Sequence, residues 1–203
     1  MLGIVGRPIF ILDPEDIAIR LRQNYHEIAS ANVRVYFPNN VWVGMLERTP
    51  IIYWQQGGQY TWIDASGVAF KPRGPLPALI PVIAMGSAPT GINISRDALD
   101  PDPFISGELV ETIQYLAPHL PAGSTMLFDP QKGLGWKDDR GWEVTFGNSP
   151  KNINLKLRIY YTLVDSLIAR GIQPVYISMQ YPDAPYYRVA ENDEGVSTGL
   201  DTE

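Results

Sequence analysis

The sequence predicts an α+β protein: a helix and a hairpin, followed by a mixed β-sheet domain with two helices. Three observations predict it. Apolar residues recur at helical spacing in three separate stretches, led by Ile17 and Leu21, by Ile105, Leu109 and Ile113, and by Ile153, Leu157 and Tyr160. Between them lie short alternating or aromatic-rich segments bounded by glycine, proline, asparagine and aspartate. Glycine and proline, at 18 residues each of 203, exceed their usual combined share of about 12%, and 22 aromatics are spread along the chain.

The elements follow in order. Asp13-Pro14-Glu15-Asp16 reads as a helix start, with an aspartate that caps free amides, a proline at the first helical position and acids that complement the dipole. Ile17, Leu21 and Tyr25 then share a face. Ala31, Val33, Val35 and Phe37 alternate with Asn32, Arg34 and Tyr36, Pro38-Asn39-Asn40 turns, and Val41, Val43 and Met45 continue, so a hairpin is expected. Glu47-Arg48-Thr49-Pro50 is a polar break, and a domain junction is placed at Thr49. Short strands are expected over 51–55, 60–64 and 68–71. The stretch 72–103 reads as extended connections around one strand at 80–84. A helix carrying Ile105, Leu109, Ile113, Leu116 and Leu120 comes next, then strands at 125–129, 134–137 and 142–146. Ser149-Pro150 is read as the cap of a long helix whose face runs from Ile153 to Leu167, with Gly171 as its stop. The last strand is expected over 175–181, ended by Pro182-Asp183-Ala184-Pro185. The resulting division is 1–49, 50–189 and an acidic, disordered tail over 190–203.

Composition narrows the function. The chain has no cysteine, which removes zinc ribbons, iron–sulfur clusters and thiol catalysis. His26 and His119 are far apart and form no metal-ligand spacing. Net charge is −6, and Glu191, Asp193, Glu194, Asp201 and Glu203 supply five of those six charges. The body is therefore nearly neutral and shows no basic stripe for nucleic acid. The longest apolar stretches fall well short of the roughly 20 residues of a membrane helix, and no cleavable signal is visible.

Several constellations approach known chemistry without completing it. Asp64-Ala65-Ser66-Gly67 approaches the Asp-Ser/Thr-Gly of aspartic proteases, but only one near-copy exists, and a hairpin turn is the better reading. Lys132-Gly133-Leu134-Gly135-Trp136-Lys137 lacks phosphate-loop spacing and reads as a glycine-bearing strand turn. Asp97, Asp100 and Asp102 lack the alternation of a calcium loop. Asp138-Asp139 beside Arg140-Gly141 reads as a hairpin tip, and no nucleophile elbow is present. Trp54, Tyr60, Trp62, Trp136 and Trp142 fall in expected strands, where aromatics are packing residues. Tyr181, Tyr186, Tyr187 and Arg188 form a different cluster, on or just after the last strand, with Met179 preceding it. Tyrosine and arginine are enriched at protein interfaces, so these five are the candidate partner-binding residues.

The order of pieces resembles the extracytoplasmic part of the bacterial division proteins of the FtsQ/DivIB family. The motifs that carry it are Gly6-Arg7-Pro8-Ile9-Phe10-Ile11-Leu12-Asp13, Ile28-Ala29-Ser30-Ala31-Asn32-Val33 running to Pro38-Asn39, and Glu47-Arg48-Thr49-Pro50-Ile51-Ile52-Tyr53-Trp54. They are followed by the hairpin from Tyr60 to Val68-Ala69-Phe70, the turn at Leu76-Pro77, and Arg140-Gly141-Trp142-Glu143-Val144-Thr145-Phe146-Gly147 with the closing helix and strand. The resemblance implies that 1–49 is a partial POTRA module and 50–189 an FtsQ-type β domain. A membrane helix and the first POTRA strand and helix are then expected ahead of Met1, so that a fragment or a mis-started frame is expected, with membrane anchoring only through that missing segment. It further implies a non-enzymatic divisome scaffold at the septum, on the extracytoplasmic face of the membrane, without cofactor or metal. Its partners would be FtsB/DivIC-like and FtsL-like division proteins, recruited by strand addition at the carboxyl-terminal sheet edge. The alternatives are a POTRA-containing outer-membrane assembly or secretion component, and a cell-wall polysaccharide-binding module marked by an open aromatic platform.

Overall fold

A computed structural model describes residues 6, 8–75, 78–86 and 103–190. The expectations for Leu76-Pro77, for Asp97, Asp100 and Asp102, for most of the long 86–103 connection and for the acidic tail lie outside the described residues.

The first helix, α1 (Pro14–Asn24), starts where the sequence places it. The Asp13 carboxylate accepts the Glu15 amide at 2.9 Å, Pro14 fills the first position, and Glu15 and Asp16 complete the first turn. Ile17 and Leu21 face the hairpin β1 (Ile28–Tyr36) and β2 (Asn40–Glu47), where Ile28, Ala31 and Val33 complete a small core. Tyr25 ends the helix rather than extending its stripe. The antiparallel register sets Ala31, Val33 and Val35 opposite Met45, Val43 and Val41, so all six share one face. α1 covers only part of it, and Met45 stays 57% exposed.

The second sheet comprises β3 (Pro50–Gln56), β4 (Gln59–Asp64), β5 (Ala69–Phe70), β6 (Ile80–Ala84), β7 (Met126–Asp129), β8 (Gly133–Lys137), β9 (Glu143–Gly147), β10 (Pro174–Ser178) and β11 (Tyr186–Val189). In space their order is β11-β10-β9-β8-β7-β6-β3-β4-β5. Three neighbouring pairs are parallel: β3–β6, joined through β4 and β5, β6–β7, joined by α2 (Gly107–Leu116), and β9–β10, joined by α3 (Ile153–Ala169). Both helices bury against the same sheet face. A single ladder row, Trp54, Val82, Met126, Trp136, Val144 and Ile177, crosses six strands, and every member is buried. It packs into one core with Leu109, Ile113 and Leu116 of α2 and Leu157, Tyr160, Val164 and Leu167 of α3. Burying this many large side chains is the main driving force for the sheet domain.

The α+β architecture is as expected, with three local corrections. α3 does not begin at Ser149-Pro150. The Ser149 hydroxyl accepts the Lys151 amide in a preceding turn, and Asn152, in a left-handed conformation at φ 59°, is the cap residue. The helix stop is as expected: at Gly171, φ 67° lets the Ile172 amide return to the Leu167 carbonyl at 2.9 Å. The last expected strand is shorter, ending at Ser178, and the chain turns back to add β11 antiparallel to it. Tyr176 and Ser178, on the sheet face opposite Ile177, are both buried.

Arg48 ties the two sheets together. Its amide donates to the Glu27 carbonyl at 2.7 Å, its Nε to the His26 carbonyl at 3.0 Å, and its Nη1 to Asp64 Oδ2 at 2.6 Å. Asp64 Oδ1 in turn accepts from the Ser66 amide and hydroxyl and from the Val68 amide. The Asp64-Ala65-Ser66-Gly67 motif is thus a structural Asx turn closing β4.

Candidate partner-docking edge

β11 is one outer edge of the large sheet, hydrogen-bonded to β10 on one side only. Its inner register pairs Tyr187 with Ile177 and Tyr186 with Ser178. Because opposed residues share a face, Tyr187 points to the helix-covered side, where it packs against the main core. Tyr186 and Arg188 lie on the other, open side, and Tyr186 is 51% exposed. Tyr181 stands in the connection between the strands and is 65% exposed. Met179 is fully buried, with its amide donating to the Thr145 carbonyl at 2.7 Å.

The sequence-predicted residues therefore divide into two sets. Tyr181, Tyr186 and Arg188 present side chains at the surface, whereas Tyr187 and Met179 anchor the edge to the core. On the open face three more residues join them, which sequence reasoning had not singled out for this site. Tyr176 is the hub: its hydroxyl is 2.7 Å from the Thr145 hydroxyl, Lys132 Nζ lies 5.1 Å and the Arg188 guanidinium 4.7 Å from its ring centroid, and Tyr186 tilts against it. Glu143 pairs loosely with Lys132 at 3.6 Å. Tyr176, Lys132, Glu143 and Arg188 border a shallow depression of about 780 Å³ along β10 and β11. No linear spacing joins Lys132 to Tyr176 and Arg188; only the strand order does, and the one signal in the sequence was a lysine at the glycine-bearing turn.

The other candidates serve structure. Asp138 is 2% exposed and bound by Arg140 through Nε at 2.7 Å and Nη2 at 2.9 Å, and the Tyr160 hydroxyl donates to it at 3.0 Å. Burial pushes this carboxyl up, but the Arg140 and Tyr160 hydrogen bonds outweigh it and hold it down at about 2. Burial pushes the Tyr160 hydroxyl up to about 12, leaving it a neutral donor. This is the expected hairpin tip, fastened to α3. Among the described residues no group of three or more histidine or carboxylate side chains is placed to hold a metal ion. His119 stacks on Tyr115 and His26 lies at the α1–β1 connection.

The chain is similar to known proteins. Residues 52–180, from the third residue of β3 to just past β10, match the family model described as cell division protein FtsQ/DivIB, C-terminal. Over 185 residues, 90% of the chain, it is 25% identical to a cell division protein FtsQ of Chloroflexus aggregans, covering 64% of that protein. Over 175 residues, 82% of the chain, it is 31% identical to the FtsQ of Anaeromyxobacter sp., covering 55% of that protein. A shorter stretch of 87 residues is 29% identical to the FtsQ of Streptomyces coelicolor, 33% of whose length it spans.

Proposed function

Because the chain belongs to the FtsQ/DivIB family of cell division proteins, we propose that it acts as a non-enzymatic scaffold of the divisome, recruiting septal partners by strand addition at β11. The observation that carries this reading is the open edge itself. One side of β11 pairs with β10, and the other leaves backbone amides and carbonyls available to a partner strand. The partner strand gains main-chain hydrogen bonds, while Tyr181, Tyr186 and Arg188 supply side-chain selectivity over a base held by Tyr187 and Met179. The partners are FtsB/DivIC-like and FtsL-like proteins, met on the extracytoplasmic face of the membrane at the septum. No helix among the described residues is long and apolar enough to cross a membrane. Residues 1–49 act as a partial POTRA module and 50–189 as the β domain that carries the docking edge.

The test is a titration of the FtsB-like protein from the same genome against the wild type, Tyr181→Ala, Tyr186→Ala and Arg188→Glu. Loss of an anchor weakens binding by on the order of 2 kcal/mol with the thermal transition unchanged. Undiminished affinity in all three variants refutes the docking edge. Tyr187→Ala is a poorer probe, since that ring also packs on the core.

A further inference from the structure

The opposite end of the large sheet carries a second unpaired edge, and it lies in a cleft. β5 is only two residues long: Ala69 and Phe70 pair with Ile63 and Trp62, and then Lys71-Pro72 leaves the sheet. Pro72 has no amide hydrogen to donate, so the ladder stops there. Tyr60 and Thr61 of β4, which pair with Gln55 and Trp54 of β3, have no strand on their other side among the described residues. The connection from α1 to β1 stands across from this gap, and the two enclose a cleft of about 470 Å³.

The cleft walls have a defined chemistry. Tyr25, Tyr60 and Phe70 give it aromatic surface, with Tyr60 half exposed and stacked on Tyr53 at 5.2 Å. Lys71 and Arg73 are exposed cations at its rim, and the acid beside them, Glu27, is already ion-paired with Arg73. Among the described residues no ion pair engages Lys71. The volume suits about four residues of extended chain rather than a folded domain.

We infer that this cleft is a second docking site, taking an extended acidic peptide segment of a partner protein that adds to the Tyr60–Thr61 edge of β4. The peptide backbone completes the ladder that Pro72 ends. An apolar side chain fits between Tyr25 and Tyr60, and a carboxylate is held by Lys71 and the outward side of Arg73. The short strand, Lys71 and Pro72 also discourage unselected pairing, so the edge admits a ligand that brings negative charge and disfavours a neutral or basic one. The site is separate from β11, at the far end of the strand order.

The experiment uses the full chain and a short synthetic peptide alternating Glu with Val and Tyr, followed by amide chemical shifts and calorimetry. Saturable binding is expected, with shifts centred on Tyr60, Thr61 and residues 69–71. Lys71→Glu should weaken it by about tenfold, as should a rise in salt, and Tyr186→Ala should leave it unchanged. Tyr60→Pro, which removes an edge amide, should abolish it; a thermal transition recorded alongside identifies a fold defect, in which case Lys71→Glu alone decides. Shifts that map to β11, or equal binding by a peptide with Lys in place of Glu, overturn the proposal. Binding that appears only when residues after Ala190 are deleted assigns the cleft to the chain's own acidic end and overturns it as well.

Discussion

Arg48 carries more of the inter-sheet geometry than any neighbour, since one side chain and its amide reach Glu27, His26 and Asp64. The pair with Asp64 is about nine-tenths buried on both sides, where a charge without its partner is costly. Removing the guanidinium in Arg48→Ala leaves the Asp64 carboxylate with only its own turn, the Ser66 and Val68 donors. Those remaining bonds moderate the loss, so a cost of about 2–3 kcal/mol is expected, read by urea unfolding. Burial pushes the Asp64 carboxyl up, but the hydrogen bonds from Ser66, Arg48 and Val68 and the charge of Arg48 outweigh it, holding it below the ordinary value. A group lowered in the folded state stabilises fully above its unfolded value, and that stability is lost as pH falls through the lowered folded value. The difference between wild type and Arg48→Ala should therefore be constant near neutrality and shrink on acidification. A difference that stays flat down through the acid range would show that Arg48 acts by packing alone.

At the level of elements, what could be read from the sequence depended on whether an element forms by its own pattern or by pairing. α1 was legible because Asp13, Pro14 and the first-turn acids are local signals. β6 (Ile80–Ala84) was legible as an apolar run between breakers. β11 was not: Tyr186-Tyr187-Arg188-Val189 follows Pro185 and has no alternation, and it is a strand because β10 lies beside it. The burial of Tyr176 was hidden for the same reason, since Lys132 of the β7–β8 turn and Tyr186 and Arg188 of β11 cover it from two other parts of the chain. Of the docking edge, the sequence revealed the tyrosines and Arg188 but not which face each would take. The β8–β9 turn shows how firmly such pieces are fastened. Tyr160 of α3 donates to Asp138 at 3.0 Å and accepts from Trp142 Nε1 at 3.2 Å. Tyr160→Phe deletes both bonds and leaves the Trp142 indole N–H buried, while Arg140 still holds Asp138, so a loss of about 1–2 kcal/mol is expected. Calorimetry should show this as a fall in Tm of about 4 °C. An unchanged Tm would mean that the turn is held by Arg140 alone.

For the whole molecule, the two cores differ greatly in size, and that difference sets how each part opens. The helix–hairpin core rests on Ile17, Leu21 and Ile28 with Leu12, Ala31 and Val33 around them. The sheet domain instead buries a row crossing six strands together with two helices. A two-stranded sheet with a half-covered apolar face, on which Val43 and Met45 remain exposed, has little stability of its own. Among the described residues Arg48 and the Glu27–Arg73 ion pair tie it to the rest of the chain, and both are polar contacts. Local opening is therefore expected to begin in α1, β1 and β2 while the large sheet, α2 and α3 stay closed. Amide hydrogen exchange tests this directly: protection over 33–43 should be on the order of a hundredfold lower than over β7 to β10. Arg48→Ala should widen that gap, because it removes the tie without touching the larger core. Protection over 33–43 equal to that of β7 to β10 would refute this division and mean that the two sheets open as one cooperative unit.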